Sequence, residues 1–222
     1  MPDRMQRPLL LGHRGARALC SIPENTLPSF DQALADGCDG FEFDVRLTAD
    51  GSAVVCHDPQ PAGIDIAQAR AEQLPALPRL EDVLARYHEH AFLDVELKVA
   101  GLEAMVATML RKFPPRRGFV ISSFLPEVLQ RIHAENSATP LGLICETRAE
   151  LSRWRELPIE YVIPHHRLVD PEGVAMIKDA GKKILVWTVN DAKAMLRFAQ
   201  AGVDGIISDD TQLLARTLAG SG

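Results

Sequence analysis

Apolar and acidic residues alternate along Gly40-Phe41-Glu42-Phe43-Asp44-Val45-Arg46. A period of two is the mark of a β-strand whose successive side chains point to opposite faces, so Glu42 and Asp44 share one face. Leu93-Asp94-Val95-Glu96-Leu97-Lys98 repeats the pattern and places Asp94, Glu96 and Lys98 together. Before these stretches, a short apolar strand from Pro8 to Leu11 stops at Gly12-His13-Arg14-Gly15. Pro23-Glu24-Asn25-Thr26 then opens a helix, with Asn25 or Thr26 as N-cap and Pro28 in its first turn, where a missing N–H costs little. Phe30, Ala33 and Leu34 give this helix its buried stripe, and Gly37 suits its end.

After strand 40–46, Asp50-Gly51 between two apolar runs predicts a tight turn. Ala53-Val54-Val55-Cys56 then runs back antiparallel and delivers His57-Asp58. From Pro59 to Pro78 the signal is weak, with at most one short helix, and Leu80 to His90 has helical spacing. Beyond it strands and helices alternate: strand 92–98, helix 101–113, strand 118–122, helix 126–135, strand 140–145, helix 148–156, strand 160–164, helix 171–180, strand 183–189, helix 191–201, strand 204–208 and a closing helix. Such alternation predicts βα units and a parallel sheet. Nine strands are one too many for an eight-stranded barrel. With 53–56 set aside as the arm of a small extra β-hairpin after strand 2, the expectation is an α/β fold of the TIM (β/α)₈ type. A doubly wound open sheet is the competing architecture, weakened by the absence of a GxGxxG turn.

The chain has 222 residues, a length that suits one domain spanning 1–222. A net charge of −6 with no long basic run argues against a nucleic-acid partner, since Arg111-Lys112 and Arg116-Arg117 read as a solvated loop. Leu9-Leu10-Leu11 behind the polar start Met1–Gln6 is too short for a signal-peptide core, and no later run approaches a membrane span. Cys20, Cys38, Cys56 and Cys145 have no metal-finger spacing and read as reduced thiols. These features lead to the expectation of a cytoplasmic protein; they leave its oligomeric state open.

A barrel places its site at the C-terminal ends of its strands. There the sequence supplies His13-Arg14, Glu42 and Asp44, His57-Asp58, and Glu96 with Lys98. Taken singly each has an ordinary reading: a solvated acidic strand face, a hydrogen-bonded loop histidine, a solvated lysine. Their convergence on one rim points to chemistry. Two carboxylates inside a barrel repel and lose hydration unless a cation lies between them. Oxygen ligands suit one hard divalent ion, Mg²⁺ or Ca²⁺, better than zinc. Arg14 and Lys98 suit an anionic group, and two histidines free of ligand duty suit general acid and base work. Together these describe cleavage of a phosphate ester, a diester better than a monoester, because one histidine has an alkoxide to protonate.

His13-Arg14-Gly15, Pro23-Glu24-Asn25-Thr26, Glu42-Phe43-Asp44-Val45, His57-Asp58, Glu96-Leu97-Lys98, Ser122-Ser123-Phe124, Trp187-Thr188-Val189-Asn190 and Asp204-Gly205-Ile206 resemble, in order, the motifs of the glycerophosphodiester phosphodiesterase family. The resemblance runs from about residue 9 to about residue 210. It implies a TIM barrel that hydrolyses small glycerophosphodiesters to an alcohol and glycerol 3-phosphate. It further implies that Glu42, Asp44 and Glu96 bind the metal, that His13 and His57 form the acid/base pair, and that Arg14 and Lys98 meet the phosphate. Trp187 is a candidate wall of the glycerol pocket, against the ordinary reading of a strand tryptophan as core. Glu24 is either a hydrogen-bonding neighbour of the metal site or a helix-start acid. Ser122 and Ser123 are candidates for ligand contact or for satisfying backbone groups, and His165 and His166 for the substrate side of the rim.

The Arg-Thr-Thr-Gly-like motif that usually follows His-Asp in the family is absent, since Asp58 leads into Pro59-Gln60-Pro61-Ala62-Gly63. This departure bears on the alcohol half of the substrate more than on the catalytic set. Two other readings use the same residues: a phosphodiester lyase that stops at a cyclic phosphate, and a non-catalytic phosphate-binding barrel. The latter has no need of two histidines.

Overall fold

The computed structural model describes residues 7–218, so the polar start Met1–Gln6 lies outside the described residues. Its nine strands are β1 (Leu9–His13), β2 (Gly40–Leu47), β3 (Ala53–Val55), β4 (Phe92–Leu97), β5 (Phe119–Ser123), β6 (Leu141–Cys145), β7 (Tyr161–Pro164), β8 (Lys183–Val186) and β9 (Gly205–Ser208). The eight α-helices among the described residues are α1 (Leu27–Ala35), α2 (Leu80–Tyr87), α3 (Glu103–Lys112), α4 (Pro126–Glu135), α5 (Arg148–Ser152), α6 (Pro171–Asp179), α7 (Ala192–Gln200) and α8 (Thr211–Leu218). Eight strands are parallel, and because β1 pairs with both β9 and β2 the sheet closes. Closure rules out the open doubly wound sheet. The remaining strand, β3, lies antiparallel on the end of β2, pairing Val45 with Val55 and Leu47 with Ala53.

Each barrel strand is buried on both faces, which explains why most read as nearly continuous apolar runs. Residues such as Leu11, Val120, Ile144, Ile163, Leu185 and Ile207 fill the barrel interior. Alternate residues such as Leu10, Phe41, Val95, Ile121 and Val162 face the helices. On β2 this division is sharp. Phe41 turns outward and stacks on Phe30 of α1, with centroids 4.2 Å apart, while Tyr87 of α2 meets it edge-on at 5.0 Å. Tyr87 Oη also donates to Leu27 O and Asp31 Oδ1, tying α2 to α1. Aromatic pairs of this kind contribute about 0.5–1.5 kcal/mol each beyond area burial. They anchor the strand whose other face carries Glu42 and Asp44.

The first βα turn carries unusual backbone. Arg14 has φ 54° and Gly15 φ 83°. A side chain at Gly15 would collide with Ser29, whose Oγ accepts from Ala16 N and donates to Arg14 O. At the start of α1, Thr26 takes the N-cap position and Asn25, with φ 56°, is directed elsewhere. The weak segment after His57 forms two single-turn 3₁₀ helices, Pro61–Gly63 and Ala71–Gln73, where at most one short helix was expected. Ile66, Leu74 and Leu77 from this segment pack on Val54 and Cys56 of the hairpin. Arg111 and Lys112, expected in a solvated loop, form the last turn of α3, where cations favour the helix dipole. All four cysteines are free thiols. No helix among the described residues is long and apolar enough to cross a membrane.

Candidate active site

The strand registers decide which acids meet. Parallel pairing sets His13 beside Glu42, Glu42 beside Asp94, and Asp44 beside Glu96. One carboxylate oxygen from each of Glu42, Asp44 and Glu96 lies within 4.8 Å of the other two, all three residues being buried. Glu42 Oε1, Asp44 Oδ1 and Glu96 Oε1 have no aligned hydrogen-bond donor. Lys98 Nζ stands near two of them as an ion pair, 2.6 Å from Glu96 Oε1 and 3.3 Å from Asp44 Oδ1.

Burial and mutual repulsion act together here. Burial, followed by the charges of Asp44, Glu96 and Asp94, holds the Glu42 carboxyl well above the usual carboxylate range. Burial and Asp44 push Glu96 up to about 7, with Lys98 opposing. Burial would raise Asp44 too, but Lys98, Arg14 and a hydrogen bond from Asn25 outweigh it and hold it low. Three convergent buried carboxylates with unsatisfied oxygens fit a hard cation with oxygen ligands.

His13, at the end of β1, is 9 % exposed. Its Nδ1 is 2.7 Å from Asp209 Oδ1 and its Nε2 is 3.9 Å from Glu42 Oε2. Asp209, the residue after β9, also accepts from Asn190 Nδ2 at 2.6 Å and Arg17 Nη1 at 3.1 Å. Burial opposes its ionisation, but these donors hold the carboxyl below the usual carboxylate range. An ionised carboxylate only accepts, so the proton between the two residues belongs to His13 Nδ1 and Nε2 is left to face the cavity.

His57 leaves the hairpin arm as expected, and its carbonyl is gripped by Arg46 Nε and Nη2 at 2.9 and 2.7 Å. Burial lowers the His57 pKa from its ordinary value, Arg14 and Lys98 acting in the same direction and Asp44 against it. Arg14 binds through its backbone N–H to Glu42 Oε2 at 3.0 Å, and its guanidinium spans Glu24 Oε1 at 2.7 Å and Asp44 Oδ2 at 3.2 Å. Glu24 precedes the Thr26 cap and so is not in the first turn of α1. It holds Arg14 and Arg17 instead. Asn25 gives up capping to donate Nδ2 to Asp44 Oδ2 at 2.7 Å and to accept from Asp44 N.

One cavity of about 340 Å³ is lined by His13, Arg14, Glu42, His57, Glu96 and Lys98. Asp44 lies behind this lining, 1 % exposed. The opposite wall is Trp187 with Phe124, Ile144, Ile163 and Ile207. Trp187 Nε1 donates to Ile163 O, and its ring meets Phe124 edge-on at 5.8 Å, so the wall is held from two sides. His165 and His166 do not line the cavity: the His165 ring packs against His166 at 4.4 Å and Trp187 at 5.3 Å. Ser123 Oγ donates to Leu97 O, a backbone role, whereas Ser122 Oγ donates to Asp94. No described residue from 58 to 78 lines the cavity.

Sequence reasoning passed over Asp209, Asn25 as a partner of Asp44, and Arg46. For Asp209 the available signal was its place directly after an apolar strand, at the rim where barrel sites form.

Comparison with known proteins identifies the family. The model of the glycerophosphoryl diester phosphodiesterase family matches residues 13–65 and 63–213. YhdW of Bacillus subtilis is 30% identical over 230 residues, which cover 90% of this chain and 93% of its own. The glycerophosphodiester phosphodiesterase of Caldanaerobacter subterraneus is 29% identical over 236 residues, 93% of this chain and 96% of the relative. Among solved structures, an Oleispira antarctica phosphodiesterase in complex with the product sn-glycerol-3-phosphate superposes with a TM-score of 0.83 at 26% identity, covering 95% of this chain and 96% of that one. The matched span begins at His13 and includes both acidic strands, the hairpin and Asp209, and by that match the chain belongs to the glycerophosphoryl diester phosphodiesterase family.

Proposed function

We propose that this chain, acting as one phosphodiesterase domain, hydrolyses glycerophosphodiesters to an alcohol and glycerol 3-phosphate, using one divalent cation, Mg²⁺ or Ca²⁺. The observation that carries the reading is the convergence of the Glu42, Asp44 and Glu96 oxygens within 4.8 Å beside a cavity that both histidines line. Glu42, Asp44 and Glu96 are the residues that would hold the cation. When bound, such an ion supplies Lewis-acid neutralisation of phosphoryl charge.

The protein's own groups account for the proton traffic. His13, with Nδ1–H held by Asp209, presents Nε2 as the base that takes a proton from the attacking water as its oxygen bonds to phosphorus. His57 donates a proton to the oxygen of the leaving alcohol, which departs toward the hairpin side. Arg14 and Lys98, fixed by Glu24, Asp44 and Glu96, meet the phosphate oxygens. Trp187 walls the half of the cavity that takes the glycerol. The product named in the Oleispira antarctica complex supports glycerol 3-phosphate as the product here.

A coupled assay for released glycerol 3-phosphate, run on several glycerophosphodiesters with and without EDTA, tests the reading. Product release that stops on chelation and returns with Mg²⁺ or Ca²⁺ supports it. Phosphorus NMR of the same reactions separates hydrolysis from ring closure, and an accumulating cyclic phosphate would replace the hydrolase with a lyase.

A further inference from the structure

Asp94 lies within the barrel, 1 % exposed, yet it lines the cavity. Its position opposite Glu42 on the neighbouring strand sets it two residues deeper on β4 than Glu96. It is outside the group of three carboxylates whose oxygens converge. Ser122 Oγ donates to Oδ1 at 2.5 Å and so fixes the rotation of the carboxyl. Oδ2 has no hydrogen-bond partner.

A buried polar atom without a partner costs on the order of 1–3 kcal/mol, and structures rarely keep one without a use. The protein's nearby cations do not serve it: Lys98 engages Glu96 and Asp44, and Arg14 engages Glu24 and Asp44. The wall across the cavity is Ile144, Ile163 and Ile207, whose side chains have no donor. The missing donor therefore belongs to whatever enters.

We infer that Asp94 Oδ2, aimed by Ser122, accepts a hydrogen bond from a hydroxyl of the substrate's glycerol and is the specificity-determining anchor of that half. The inference rests on the reading of function given above, which supplies glycerol as the constant half of every substrate. A fixed acceptor inside the barrel suits the constant half. The varying alcohol leaves past His57, on the side where residues 58–78 leave the cavity unlined. The apolar wall of Ile144, Ile163 and Ile207 offers a hydroxyl placed there no competing acceptor. A phosphodiester without hydroxyls leaves Oδ2 unpaired and is disfavoured.

The test compares sn-glycero-3-phosphocholine with propyl phosphocholine, which has the same phosphate and leaving group but no glycerol hydroxyls. In the cation-loaded wild type, kcat/KM should favour the glycerol compound by on the order of 10–100-fold. Asp94→Ala should collapse that ratio toward one by slowing the glycerol substrate far more than the propyl compound. Ser122→Ala keeps the carboxylate and loses its aim, so it should give an intermediate ratio. It also covers the case in which Asp94→Ala does not fold. Calorimetric binding of glycerol 3-phosphate against propyl phosphate gives the same comparison without turnover, and the preference for the glycerol compound should vanish in the same variants. Equal losses on both substrates, or an unchanged binding preference, would overturn the assignment and leave Asp94 a structural residue. If the wild type hydrolyses neither substrate, the functional reading fails separately and the binding comparison still decides the anchor.

Discussion

Asp209 Oδ1 lies 2.7 Å from His13 Nδ1, joining the last strand of the barrel to the first across 196 residues of sequence. This contact sets the tautomer of His13 and turns Nε2 to the cavity. Asp209→Asn keeps the shape but allows the amide to donate, which favours the wrong tautomer. We expect kcat to fall on the order of 10²–10⁴-fold with a small change in KM. Steady-state kinetics on a glycerophosphodiester check this, and an unchanged kcat would remove Asp209 from the proton path.

The same carboxylate links stability to pH. Its pKa in the folded chain is below the ordinary value of about 3.9. The stabilisation is complete above about pH 5, where Asp209 is ionised in both states. It is lost as pH falls through the folded value, when the carboxylate protonates and its bonds to His13, Asn190 and Arg17 weaken. Urea unfolding of wild type and Asp209→Asn should differ by roughly 2 kcal/mol near pH 6–7 and converge in strong acid. A gap that widens on acidification would contradict the assignment.

Removing a member of the carboxylate trio should separate stability from activity. Glu42→Gln, Asp44→Asn and Glu96→Gln should each abolish turnover. In chelator, Glu42→Gln should match or exceed the wild-type Tm, because a carboxyl whose pKa is raised on folding opposes the fold once ionised. Added Mg²⁺ or Ca²⁺ should raise the Tm of the wild type and not that of the variants. Full activity after exhaustive chelation would sink the metal assignment.

His13→Ala and His57→Ala should each cost at least on the order of 10²-fold in kcat, and the double variant far less than the product of the two. With p-nitrophenol as leaving group no proton donor is needed, so His57→Ala should recover and His13→Ala should not. Recovery of the opposite variant would exchange the two roles; recovery of neither would argue against proton transfer by this pair.

Because the segment after His57 packs on the hairpin and not over the cavity, an alcohol that leaves past His57 would meet few contacts. Glycerophosphocholine, glycerophosphoethanolamine and glycerophosphoglycerol should differ by less than about 2 kcal/mol in transition-state binding, roughly 30-fold in kcat/KM. A much larger preference would mean that another loop closes over the head group.

The sequence by itself determined the succession of βα units and most of the rim. Period-two alternation at Glu42, Asp44, Asp94 and Glu96 is a local property, set by the pleat of a strand, and it already places those acids on one face. Asp50-Gly51 likewise encodes the hairpin that delivers His57, and the order of βα units leaves few topologies open. Closure of the sheet was decided only in three dimensions, because pairing β1 to both β2 and β9 joins segments far apart in the chain. So were the partners of the site residues. Asn25 looks like a cap until β2 brings Asp44 to it, Glu24 looks like a helix acid until Arg14 adopts φ 54° beneath it, and Asp209 looks like a loop acid until His13 arrives. Hydrogen bonds between side chains distant in sequence have no period, so residue patterns cannot carry them. They exist only where the folded backbone brings donor and acceptor within about 3 Å.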